Sequence, residues 1–173
     1  MPRLFVAVDL PDPVKKAVTA LCHGIPGVRW LPPDHLHLTI RFIGEVAADR
    51  AAAIRETLSG AVAAPFVCRL QGVGRFPAKG RPRVIWVGVH AETGLMELAE
   101  MVEQRLRAIG ILPEERPFSP HITLARLKEI SPALVTSYLA GHEQFHSEPF
   151  TVHAYHLYSS LLTPKGAIHT RIP

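Results

Sequence analysis

The sequence predicts an α+β fold of two lobes related by a pseudo-twofold, each a β-α-β-α-β unit, with a cleft between them. Three observations carry this expectation. Strand-like apolar runs alternate with amphipathic helical stretches along the whole chain. The same order of elements occurs twice. Each half also carries one short motif on its second strand, "HLTI" at 37–40 and "HITL" at 121–124. From Phe5 to His37 is 32 residues and from Ile85 to His121 is 36, and equal order at nearly equal spacing marks a duplicated unit.

The elements follow in order. "RLFVAVDL" (3–10) is rich in Val and aromatic residues and reads as a strand; "PDPVKKAVTALCHG" (11–24) opens on prolines and ends on Gly24, as a helix does. A strand through "HLHLTIRFIG" comes next, then a helix over 47–60 and the strand "FVCRLQGVGRF" (66–76). In the second half "RVIWVGVH" (83–90) is a strand. The helix at 92–110 sets Leu95, Leu98, Met101, Val102, Leu106 and Ile109 at helical spacing and closes on Gly110. After "HITLARL" a helix spans 131–141, "FTVHAYHLYSSLL" (150–162) reads as one strand, and the turn "TPKG" leads to "AIHTRI" at 167–172. One domain over 1–173 is expected, with lobe-forming repeats at about 3–76 and 83–162 and a closing strand at 167–172.

Composition narrows the classes. With 173 residues and 47% of them hydrophobic, the chain can bury a core without covalent staples. Cys22 and Cys68 therefore read as buried thiols. The apolar run in "MPRLFVAVDLPDP" is too short for a signal peptide or a membrane span, so a cytoplasmic protein with no membrane partner is expected. A net charge of +4 makes the protein basic, and "GRFPAKGRPR" places Arg75, Lys79, Arg81 and Arg83 together without an acid. Such a stretch reads either as contacts to RNA phosphates or as a solvated turn.

The motifs carry the chemistry. On a strand, residues i and i+2 share a face about 6–7 Å apart. His37 and Thr39 thus point one way with Leu38 and Ile40 behind them, and His121 and Thr123 repeat the arrangement with Ile122 and Leu124. An imidazole gives or takes a proton near neutrality. Two of them flanking one atom suit in-line displacement at phosphorus, with the threonine hydroxyls donating to the equatorial oxygens. A single His-x-Thr is too short to mean much; two copies at equivalent places in a repeat point to function. His35 and His37 also form a His-x-His pair, but no further ligand cluster converges on them, so no metal and no cofactor are expected. His35 is a group for the cleft mouth, and "HAYH" (153–156) has the wrong parity for a shared face. "GVGRFPAKG" lacks the Gly-Lys-Ser/Thr ending of a phosphate loop, and no Lys-x-Asp-Gly nucleotidyltransferase motif occurs.

Around the motifs, "RLFVAVDLP", "WLPPDHLHLTIRFIGEV", "GRFP", "RPRVIWVGV", "FSPHITLARLK" and "YHLYSSLLTPKG" resemble the RNA 2',3'-cyclic phosphodiesterases, also called 2'-5' RNA ligases, of the two-histidine phosphoesterases. The resemblance covers almost the whole chain. It implies two antiparallel sheets lining the cleft, and metal-independent opening of RNA 2',3'-cyclic phosphate ends or cyclic nucleotides to 2'-phosphomonoesters. It also implies His37 as proton donor to the leaving 3'-oxygen and His121 as the base toward water. The rival expectations are an ATP-independent, reversible 2'-5' RNA ligase and a catalytically idle RNA-binding module. Arg126 matches an arginine near the substrate phosphate in proteins of this kind, although strict alternation would turn it away. Phe42, its counterpart in the first repeat, is expected in the core by parity, with stacking on a terminal base as the alternative. A monomer is expected.

Overall fold

Two antiparallel sheets, each of four strands, adjoin at their edge strands. The computed structural model describes residues 1–59, 64–91 and 93–173. The strands are β1 (Arg3–Val8), β2 (Leu38–Glu45), β3 (Phe66–Phe76), β4 (Val84–Ala91), β5 (His121–Arg126), β6 (Phe150–Val152), β7 (His156–Thr163) and β8 (Gly166–Ile172). The first sheet has the order β2-β1-β7-β8 and the second β5-β4-β3-β6. The helices are α1 (Asp12–Thr19), α2 (Ala48–Leu58), α3 (Thr93–Ala108) and α4 (Pro132–His142). None among the described residues is long and apolar enough to cross a membrane.

The sheets do not follow the two halves of the chain. β3, expected in the first lobe, pairs with β4 and β6, while β7 and β8 pair back onto β1 and each other. The physical reason is local: β3 and β4 are sequential strands joined by a short turn, and such strands pair with each other. The stretch at 150–162 is correspondingly two strands, because the chain leaves the second sheet after Val152 and enters the first at His156. The first helix is shorter than expected and ends at Thr19.

Buried side chains from both sheets form a single cluster, including Leu4, Val6, Leu38 and Ile40 from the first sheet and Ile85, Val87, Ile122 and Leu124 from the second. α3 buries Leu95, Leu98, Val102 and Leu106 and packs against β2 of one sheet and β3 of the other, so it ties them together. A buried ion pair fastens this junction. Arg41 on β2 is 9% exposed; its Nε donates to Glu103 of α3 at 2.7 Å, and its terminal nitrogens donate to the carbonyls of Phe42 and Leu112, both at 2.6 Å. Burial pushes the Glu103 carboxyl up, but the Arg41 hydrogen bond and charge outweigh it and hold the group below its ordinary pKa.

Removing one partner of a buried pair costs about 3–5 kcal/mol when the other is left without a counter-ion. Arg41 would keep Glu114 at 3.5 Å and its two carbonyls, so Glu103→Ala should lower unfolding stability by about 1–3 kcal/mol in urea titration. A loss below about 1 kcal/mol would mean that the pair is solvated like a surface bridge.

Candidate active site

The two motifs meet where the sheets adjoin. β2 and β5 approach to within 8 Å between Cα atoms. The segment before the first motif is also bonded to the second: Trp30 bridges Ala125, and Leu31 N–H donates to the Leu124 carbonyl at 2.8 Å. Six residues later the chain reaches His37. His35 is not on the strand, as expected from the sequence, but in a 3-10 turn (Pro33–His35), because Pro32 and Pro33 set its entry. Between the sheets lies a cleft of about 1300 Å³, lined by His37, Thr39, His121, Thr123, Phe42 and Arg126 among others.

Both strands break their alternation at the same place. The pairing of β1 with β2 runs Val6 opposite Arg41 and then Ala7 opposite Thr39, skipping Ile40. That of β4 with β5 runs Ile85 opposite Ala125 and then Trp86 opposite Thr123, skipping Leu124. Each skipped residue is the fourth of its motif. A β-bulge of this kind re-aims the side chains that follow it. In both copies the motif positions from the histidine onward run half-buried, buried, half-buried, buried, buried, exposed. Arg126 therefore lines the cleft against its parity. Phe42, expected in the core by alternation, is corrected by the same cause: it is 52% exposed and lines the cleft.

The two imidazoles are held differently. His121 Nδ1 lies 2.8 Å from the Ser119 carbonyl, which can only accept, so Nδ1 carries a hydrogen and Nε2 is the nitrogen left to exchange a proton. The edge of Phe76 supports that ring at 5.0 Å. Phe76 in turn packs on Trp86, whose indole lies over Gly74; a Cβ there would come within 2.1 Å of the ring, so only glycine fits. His37 is held by stacking instead, on Phe5 at 5.0 Å and Tyr158 at 6.0 Å, with His169 edge-on at 5.6 Å. The Tyr158 hydroxyl donates to Asp9. Burial first, then the neighbouring His169, His35 and Lys15, outweighs Asp9 and lowers the His37 pKa to about 4.

The basic stretch does not join this site. Arg75 donates to the carbonyls of Ala78 and Gly80, and Arg81 to that of Lys128, so both brace turns. Lys79 and Arg83 are exposed, and none of the four lines the cleft. Local charge density in the sequence could not reveal the carbonyls that claim these guanidiniums. Cationic groups that do line the cleft are Arg3, Arg29, Arg126, Lys128 and Lys165, against the single carboxylate of Glu129. Except for Arg126 these are scattered along the chain, and no local signal gathers them. Neither Cys22 nor Cys68 is in a disulfide, and burial pushes both thiols up to about 11, which makes them poor nucleophiles. Among the described residues no three His, Cys, Asp or Glu side chains converge as metal ligands.

The lowered pKa gives a prediction with a defined sign. Between pH 6.5 and about 4 the unfolded chain protonates this histidine while the folded protein does not, so the unfolded state binds more protons and stability falls as pH falls. Ligand-free protein should show the His37 C2–H resonance titrating near pH 4, and His37→Phe should flatten the stability slope in that window. A midpoint at 6.5 or above would contradict the burial account.

The chain matches the model of the family described as LigT-like phosphoesterase twice, over residues 8–86 and 87–169. A protein of Archaeoglobus fulgidus named RNA 2',3'-cyclic phosphodiesterase is 37% identical over 96% of both chains. One of the same name from Thermus thermophilus is 39% identical over 97% of this chain and 86% of its own. Among solved structures, TT0787 of Thermus thermophilus superposes with a TM-score of 0.82 at 32% identity, covering 99% of this chain and 95% of its own. Escherichia coli LigT complexed with 3'-AMP superposes at 0.77 with 27% identity, over 100% and 97%.

Proposed function

From the premise that the chain belongs to the LigT-like phosphoesterase family, we propose that it is an RNA 2',3'-cyclic phosphodiesterase that opens cyclic ends to 2'-phosphomonoesters by two-histidine acid–base catalysis. The observation that carries this reading is the pair of imidazoles, His37 and His121, presented from opposite sheets to one cleft beside the hydroxyls of Thr39 and Thr123. The curated relatives carry the hydrolase name, which favours hydrolysis over the ligase alternative.

In the proposed reaction a water oxygen bonds to phosphorus opposite the bond to the 3'-oxygen, which breaks. His121 Nε2 takes a proton from the water, and His37 gives one to the departing 3'-oxygen. The threonine hydroxyls and the Arg126 guanidinium stabilise the equatorial oxygens, where negative charge is held. His37 is neutral in the empty cleft, so its proton arrives with the anionic phosphate, whose charge offsets the effect of burial and of the neighbouring imidazoles. One chain supplies both histidines, so a monomer suffices.

A second assignment of roles is favoured by the empty-cleft electrostatics: His37 as base, and His121, whose Nδ1–H is bound to a carbonyl, as acid. A substrate with sulfur in place of the 3'-bridging oxygen separates the two, because a thiolate departs without an acid. It should restore turnover to His37→Ala and not to His121→Ala; the reverse pattern would exchange the roles.

The direct test is an oligoribonucleotide ending in a 2',3'-cyclic phosphate, incubated in EDTA. The expected product is the 2'-phosphomonoester at an undiminished rate. Loss of turnover restored by zinc or magnesium would contradict the mechanism, and a 3'-phosphate would overturn the leaving-group assignment. His37→Ala or His121→Ala should cost on the order of 10²–10⁴-fold in kcat, and Thr39→Ala or Thr123→Ala less.

A further inference from the structure

The first sheet carries a set of groups that the proposed hydrolytic step does not use. Arg3 on β1, Ser160 on β7 and His169 on β8 are register partners: Arg3 lies opposite Ser160, and Ser160 opposite His169. All three line the cleft. Their rung is the neighbour of the one formed by Phe5 and Tyr158, on which the His37 ring stacks. None of the three is fully engaged among the described residues. Arg3 gives only its Nε to Glu45, at 3.1 Å, and its two terminal nitrogens have no partner. The Ser160 hydroxyl is unbonded. No hydrogen bond holds the His169 ring, whose covered Nδ1 has no partner. That ring lies 5.6 Å from the ring of His37 and 4.2 Å from that of His35.

A guanidinium, a hydroxyl and an imidazole side by side on one rung offer donors and positive charge with a carboxylate on one flank only. That is the equipment for the non-bridging oxygens of a phosphodiester. Same-face positions along a strand are about 6–7 Å apart, a spacing similar to the span of a ribose between its 3'- and 5'-substituents. A leaving 3'-oxygen that met His37 would set the terminal ribose over the first sheet, with its 5'-carbon free to reach the next rung. We propose that Arg3, Ser160 and His169 form a second phosphate subsite, which holds the phosphodiester on the 5' side of the nucleotide bearing the cyclic phosphate. The inference rests on the reading of His37 as the group beside the leaving oxygen. It makes the enzyme a reader of RNA ends, and cyclic mononucleotides with a free 5'-hydroxyl become inferior substrates.

The test compares two cytidine 2',3'-cyclic phosphates, one with a 5'-hydroxyl and one with a 5'-methylphosphate diester. The wild-type protein should favour the diester at least tenfold in kcat/KM. Each of Arg3→Met, Ser160→Ala and His169→Gln should reduce that ratio, and the triple variant should bring it near one. Reading a ratio within each variant separates the subsite from folding or proton-transfer defects, which lower both rates together. No preference in the wild type, or a preference that survives in the triple variant, would overturn the proposal; in the latter case the 5' side runs elsewhere, toward Arg29 and Lys128. Calorimetry with adenosine 2'-phosphate, with and without the 5'-methylphosphate, supplies an arm that needs no turnover. There the wild type should bind the diester form at least tenfold more tightly, and the triple variant should not. A protein that hydrolyses neither substrate but shows this affinity ratio would sink the catalytic reading and keep the subsite.

Discussion

The cleft depends on an extra residue at the fourth position of each motif. The bulges at Ile40 and Leu124 let two consecutive residues face the core, Ile40 with Arg41 and Leu124 with Ala125. The strand then resumes with the opposite parity. Without them, His37 and His121 would still face the cleft with their threonines, but Phe42 and Arg126 would be buried, and a buried unpaired guanidinium is costly. The same two insertions twist the edge strands where the sheets adjoin. The Leu31 hydrogen bond to the Leu124 carbonyl sits at the second bulge and leads the chain within six residues to His37. The geometry of one motif is thereby fixed by the other.

On this scaffold the two imidazoles differ in the way that acid–base catalysis exploits. A hydrogen bond to the Ser119 carbonyl fixes the tautomer of His121 and frees Nε2. Aromatic stacking on Phe5 and Tyr158 fixes the ring plane of His37 and removes water from it, which disfavours its charge until an anion arrives. Environments that set two identical side chains apart assign distinct work to each. The Arg41–Glu103 pair acts one step behind, because it holds β2 to α3 from the core side of the same bulge.

Much of the fold was legible because local periodicity and the repeat agree. Strand β3 is found at its expected limits, and apart from the run at 150–162, which is two strands, the other strands and helices differ by a few residues at their ends. What was hidden is non-local. The apolar run at 150–162 gives no sign that its first part belongs to one sheet and its second to the other. In the second motif the bulge leaves a trace, since Leu124 and Ala125 are consecutive apolar residues followed by Arg126. In the first motif the buried Arg41 disguises it, because a charged residue in a strand reads as outward-facing until its partners on α3 and at Leu112 are known. The candidate site divides in the same way. The histidines and threonines were legible from the motif alone. The aromatic platform under His37 and the Arg3–Ser160–His169 rung exist only through the pairing of β1 with β7 and β7 with β8.

The central claim is that two imidazoles in distinct electrostatic settings move the protons. The pH dependence of kcat/KM reports the ionisations of the free enzyme, so it reads those settings directly. The account predicts a bend near pH 4, where His37 titrates in the free enzyme, and that bend should vanish from the residual activity of His37→Ala. A profile with no bend near pH 4, or a bend there that survives the loss of His37, would contradict it.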